Sequence, residues 1–73
     1  MAEQETQQPS DSYVQSFARG LSVIRAFGPE RSQMTLSEVA AVTGLTRAGA
    51  RRILLTLEHL GYVTVEDRKF ALT

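Results

Sequence analysis

Three arginines, Arg47, Arg51 and Arg52, fall within six consecutive residues. A guanidinium there can do two kinds of chemistry. It can bridge O6 and N7 of a guanine with two hydrogen bonds, discriminating bases by about 1–3 kcal/mol, or it can hold a phosphate without reading sequence. Thr46 stands just before the three and Gly49 between them. A Thr hydroxyl can cap a helix, and the free N–H groups of that helix's first turn also suit a phosphate. No catalytic set competes with this one. The chain holds one histidine, His59, and no cysteine, so it offers neither a thiolate nucleophile nor a disulfide framework nor a His/Cys metal set. No enzyme activity, metal or cofactor is expected. His59, beside Glu58 near a helix end, suits the helix dipole as a cation and reads as structural or exposed.

For the arginines to act together they must share a helix, and the flanking pattern supplies one. Ala50, Ile53, Leu54, Leu57 and Leu60 recur at helical spacing between Thr46 and Gly61, predicting a helix over about 47–60. Thr46, Arg47, Ala48, Arg51, Arg52 and Leu55 then face outward. Leu45, just before the cap, can staple onto Ala50. Upstream, Thr35-Leu36-Ser37-Glu38 has the form of a capping box, and Gly44 comes where a left-handed residue would end the helix that follows. Leu36, Val39 and Ala40 give that helix its inward face. Two helices joined by a turn of about three residues containing Gly form a helix-turn-helix, and Ala40 supplies a small side chain where the pair comes closest.

A preceding helix is predicted over about 17–27, with Ser16 as its cap and Gly28-Pro29 as its stop. Val14, Phe17, Leu21 and Ile24 form its stripe, and Val23, Ala26 and Phe27 widen it. Two readings of that width stand side by side: all of it is core within the domain, or part of it meets a second subunit. A polar turn over 29–33 connects to the capping box. After Gly61 the period falls to two, in residues 62–65 and 70–72, around the charged run 66–69. This predicts a β-hairpin, which must pack on the helices to be stable. The expected fold is mainly α with a small β-hairpin: a winged helix-turn-helix, a three-helix core plus a wing.

Seventy-three residues make one small domain with a marginal core. No apolar run approaches the roughly 20 residues that span a bilayer, and no basic segment followed by an apolar one marks a leader, so a cytoplasmic protein that avoids membranes is expected. The formal net charge of zero averages unlike parts. Residues 1–11 carry three acids and no base, whereas 12–73 carry eight Lys and Arg against five acids, a net of plus three. Residues 1–12, polar and aperiodic, read as a flexible tail, and 13–73 as the folded domain.

The pattern points to binding of double-stranded DNA, with the helix at 47–60 in the major groove. Arg47 and Arg51 stand near its front as base readers and Arg52 as a phosphate grip, with either role open to each. Thr35, with Ser32 and Gln33, is a candidate phosphate donor, because the first helix of such a motif crosses the backbone. Arg68 and Lys69 at the hairpin tip are candidates for the minor groove, offset by Glu66 and Asp67. Gly49 inside a helix costs roughly 1 kcal/mol relative to Ala. Either it lets backbone approach the DNA or the position merely tolerates it, and Gly49→Ala is expected to raise stability. The alternative function is a small helical protein-interaction or dimerisation module without DNA binding. Salt separates the two, since binding through arginines releases counterions and weakens steeply as salt rises.

Residues 16–27 (SFARGLSVIRAF), 34–40 (MTLSEVA), 43–57 (TGLTRAGARRILLTL) and 60–63 (LGYV) together resemble the IclR-type bacterial transcription regulators. The resemblance runs over residues 13–73. The stretch 13–21 with 23–27 further resembles the subgroup that controls aromatic-acid catabolism through the β-ketoadipate pathway. The resemblance implies a winged helix-turn-helix followed by a linker helix and an effector-binding domain, assembled as a homodimer or tetramer on a palindromic operator. It puts the reader positions on residues 46–52 and implies that the first helix helps pair the DNA-binding domains. An effector response is expected outside this chain, which ends at Thr73.

Overall fold

The computed structural model describes residues 12–73, so nearly all of the expected tail lies outside the described residues. Three helices and one hairpin follow in order: α1 (Gln15–Ala26), α2 (Leu36–Thr43), α3 (Arg47–Leu60), β1 (Val63–Glu66) and β2 (Lys69–Leu72). The largest fully buried side chains are Val23, Val39, Leu54 and Val63, one each from α1, α2, α3 and β1. Every helix and the wing therefore meet at one centre. Among the described residues no polar or charged side chain is buried, so apolar burial alone closes the core.

The ends of α2 and α3 follow from local chemistry. Glu38 N–H donates to Thr35 Oγ1 at 3.2 Å while Thr35 N–H donates to Glu38 Oε1 at 2.8 Å, a complete capping box. Gly44, at φ 78°, ends α2, and Thr43 Oγ1 donates to Val39 O at 2.8 Å while accepting from Leu45 N–H at 3.3 Å. Gly49 N–H then donates to Thr46 Oγ1 at 3.0 Å, opening α3. At the far end Gly61, at φ 92°, and Tyr62 return their N–H groups to Glu58 O and Leu57 O, the paired bonds of a Schellman stop. Ala50, Leu54 and Leu57 are buried as expected, and Leu45 and Ile53 pack against them half-buried. Leu60 is the exception: the spacing places it in the core, but it stands at the last position of α3 and is 60% exposed.

Helix α1 departs further from its sequence pattern. It begins at Gln15, two residues early, with Val14 at the cap position and no side-chain cap bond. Ser16 therefore lies inside the first turn. The residues that merely widened the stripe, Val23, Ala26 and Phe27, are buried, whereas Val14, Phe17 and Leu21 are 58%, 67% and 41% exposed. The reading that all of this face is domain core is thus overturned. Only the C-terminal half of α1 is buried against α2 and α3, and the rest of its stripe is left uncovered.

The wing is tighter than the charged run suggested. Glu66 pairs with Lys69 and Val65 with Phe70, leaving a two-residue turn whose Asp67 and Arg68 have φ of 57° and 68°. Turns of this hand match strand twist but favour Asn and Gly, so Arg68 sits at a steric cost. The wing is also fastened to the helices by main chain. Met34 N–H donates to Phe70 O at 3.0 Å and Phe70 N–H to Met34 O at 2.8 Å, one residue before the capping box. At its base Thr73 bonds Tyr62 O and Gly61 O at 3.1 and 3.0 Å.

Candidate nucleic-acid interface

An α-helix turns about 100° per residue, so the burial of Ala50, Leu54 and Leu57 fixes where every other α3 side chain stands. Thr46, Arg47, Ala48, Arg51 and Arg52 are all exposed, and Gly49 is half-buried among them. The three arginines nevertheless divide. Arg47 and Arg51 lie about 40° apart on the flank toward α2, while Arg52 lies about 100° beyond Arg51, where it borders a groove shared with Leu21 and Ile24 of α1. One helix face thus offers cations on both sides of an uncharged strip at Ala48 and Leu55, the latter 39% exposed.

Hydrogen bonds link this face to the other predicted residues. Arg47 Nη1 donates to Ser37 Oγ across the turn, which ties the start of α3 to the start of α2. Thr35 lies two residues before Ser37, and Met34, next to Thr35, is bonded to Phe70 of the wing. Strand residues rise about 3.3 Å each, so Lys69 stands roughly 3 Å along the strand from that bond, and Arg68 precedes it in the turn. The starts of α2 and α3 and the wing tip therefore share one end of the molecule. Of the nine predicted residues, Thr35, Thr46, Arg47, Ala48 and Gly49 lie at the two helix starts, Arg51 and Arg52 about one turn further along α3, and Arg68 and Lys69 at the wing tip.

The charge at this end is open to a partner. The side chains of Arg51, Arg52, Arg68 and Lys69 make no hydrogen bond or ion pair among the described residues. The nearest acid on α2, Glu38, is engaged by Thr35 N–H. Both helix N-termini add partial positive charge, and among the described residues the N–H groups of Arg47 and Ala48 keep no acceptor. Oriented N–H groups and guanidinium forks on a convex helix face suit an extended polyanion. Among the described residues no cluster of His, Cys, Asp or Glu is placed to hold a metal, and no helix is long and apolar enough to cross a membrane.

The structure adds to two residues. A Cβ on Gly49 would stand 3.1 Å from Thr46 Oγ1, so glycine at this position leaves room for the cap hydroxyl, a reason distinct from close approach to DNA. Ser37 was not singled out from the sequence, because nothing in the spacing of a short helix start reveals which hydroxyl a residue ten positions later will reach.

The IclR helix-turn-helix domain model matches residues 16–67 of this chain. The p-hydroxybenzoate hydroxylase transcriptional activator of Acinetobacter baylyi is 39% identical over 64 residues, covering 88% of this chain and 24% of that protein. The Pca operon regulatory protein of the same organism is 40% identical over 63 residues, covering 86% and 23%. Among solved structures, a protein from Rhodococcus sp. RHA1 assigned as a transcriptional regulator superposes with a TM-score of 0.81 at 59% identity, over 84% of this chain and 24% of that one. An IclR family transcriptional regulator from Brucella abortus gives 0.80 at 32% identity, over 96% and 25%. The chain thus spans about a quarter of the length of these relatives. With three helices and a wing in the same arrangement, and with the family's domain matched over most of its length, this chain belongs to the IclR helix-turn-helix domain family.

Proposed function

We propose that this chain binds double-stranded DNA sequence-specifically, as the DNA-binding domain of a bacterial transcription regulator, with α3 in the major groove. The observation that carries the reading is the end of the molecule where α2, α3 and the wing converge, with four unpaired cations and Arg47. The contacting set is Thr46, Arg47, Ala48, Gly49, Arg51 and Arg52 on or before α3, Thr35 before α2, and Arg68 and Lys69 on the wing. Residues 13–73 form the binding domain and 1–12 a tail. By the names of its relatives, the genes controlled are those of aromatic-acid breakdown, and the setting is the cytoplasm.

The operator is palindromic and the whole protein a homodimer or tetramer. What supports pairing is the uncovered stripe of α1, where Val14, Phe17 and Leu21 are exposed beside Leu60 and Tyr62, at 60% and 59% exposure; a second copy would bury it. Sedimentation of the domain with and without DNA tests this, and single monomers on half-sites would count against it. For DNA binding itself, the wild type and an Arg47→Ala/Arg51→Ala double variant are titrated into palindromic duplexes selected from random DNA, at two salt concentrations. Enrichment of a defined half-site, lost in the variant, is the expected outcome. Equal behaviour of the two proteins would favour a protein-interaction module.

A further inference from the structure

Resting on the DNA-binding reading above, we propose that Ser37 is a positioning residue for Arg47 and that the pair commits Arg47 to the DNA backbone rather than to a base edge. Arg47 is the first residue of α3 and Ser37 the second of α2. Both are exposed, and an exposed arginine ordinarily samples many rotamers. Here its Nη1 donates to Ser37 Oγ, which swings the guanidinium off the α3 axis toward the start of α2.

The chemistry of the partner matters. A carboxylate would neutralise the guanidinium, whereas a hydroxyl orients it and leaves its charge whole. The nearby acid that would compete, Glu38, is engaged by Thr35 N–H at 2.8 Å, so the capping box keeps the arginine unneutralised. One of five guanidinium donors is used and four remain. The Ser37 proton, not needed for accepting, is free to donate to the same acceptor as Arg47. In a helix-turn-helix the first helix crosses the sugar-phosphate backbone while the second enters the groove. A guanidinium drawn to the start of the first helix therefore meets phosphate. Arg51, one turn further along α3 and without a partner among the described residues, is left as the reader of bases on that flank.

The test is a double-mutant cycle on the 73-residue chain, read by fluorescence anisotropy on selected and on scrambled duplexes across a salt series, with circular dichroism melting as the check on folding. Arg47→Ala should weaken binding to both duplexes by a similar factor and lower the slope of log K against log salt by about one. Ser37→Ala should weaken binding by about 3- to 10-fold, the effect of one net hydrogen bond, yet by less than about 2-fold once Arg47 is already Ala. Ser37→Thr, which keeps the hydroxyl, should restore wild-type affinity. An unchanged affinity in Ser37→Ala, equal losses in both backgrounds, or a base preference altered by Arg47→Ala would each overturn the assignment. A wild type that binds neither duplex overturns the DNA-binding reading and this one with it; a binding wild type with an additive cycle overturns only the role of Ser37.

Discussion

Helices α1 and α3 both carry apolar residues at helical spacing, yet their stripes meet opposite fates. Most of the α3 stripe is buried or half-buried under α1, α2 and the wing, with Leu54 fully enclosed. The leading stripe of α1 is exposed through Val14, Phe17 and Leu21, and burial falls to its secondary residues Val23 and Ala26. The difference also shows at the starts of the helices: Thr46 caps α3 with a side-chain bond, whereas Val14 offers α1 none. Periodicity reveals which face of a helix is apolar; it does not reveal what covers that face. For α3 the cover lies within the domain, and for α1 it is a surface left to something else.

The largest contrast should appear on truncating one residue from each stripe. Leu54→Ala leaves a cavity where every element meets, so it should cost about 2–5 kcal/mol in urea unfolding. Phe17→Ala, although it removes a larger side chain, should change the unfolding of the monomer by no more than about 0.5 kcal/mol. If Phe17→Ala proves as costly as Leu54→Ala, the α1 stripe is covered in solution and the two helices are alike after all.

A second contrast sets the wing's fastening against its tip. Phe70 is held by two main-chain bonds to Met34, while two residues away Arg68 takes a left-handed φ of 68°. Arg68→Gly removes that strain and should stabilise the domain by about 1 kcal/mol. It should at the same time weaken DNA binding, because strain held at an exposed cationic turn is explained by what the side chain does there. Higher melting temperature with unchanged affinity would show the turn to be strained without use.

How legible each part was in the sequence follows the range of the forces involved. The ends of α2 and α3 depend on residues within four positions of one another: Thr35 with Glu38, Thr46 with Gly49, and glycines at 44 and 61. All four were readable as text. The wing's existence was readable from its period of two, but its register was not. The charged run over 66–69 looked like loop until Glu66 was seen paired with Lys69, a cross-strand choice set by twist and by the distant bond to Met34. The nine proposed contact residues were legible as positions on one helix, one cap and one tip. Their convergence, and the bond from Arg47 to Ser37, required the turn angle that brings α3 back across α2.

The caps give the next contrast. Thr46→Ala removes the acceptor for Gly49 N–H and should cost about 1 kcal/mol in thermal unfolding. Ser16→Ala should cost almost nothing, since Ser16 sits inside the first turn of α1 and caps nothing. Equal effects would mean that α1 begins later in solution, at the serine.

The smallest net effect belongs to Gly49→Ala, where two terms oppose. Alanine should gain up to roughly 1 kcal/mol over glycine inside a helix. The new Cβ would lie 3.1 Å from Thr46 Oγ1, however, pressing on the hydroxyl that caps the same helix, so the net gain should fall below about 0.5 kcal/mol. The opposition can be separated. In a Thr46→Ala background the hydroxyl is gone, and Gly49→Ala should then show the larger gain on its own. If Gly49→Ala is equally favourable in both backgrounds, the cap does not feel the added carbon. Glycine at this position would then be explained by approach of the α3 backbone to DNA, and a loss of DNA affinity in the single variant would be the measurement that says so.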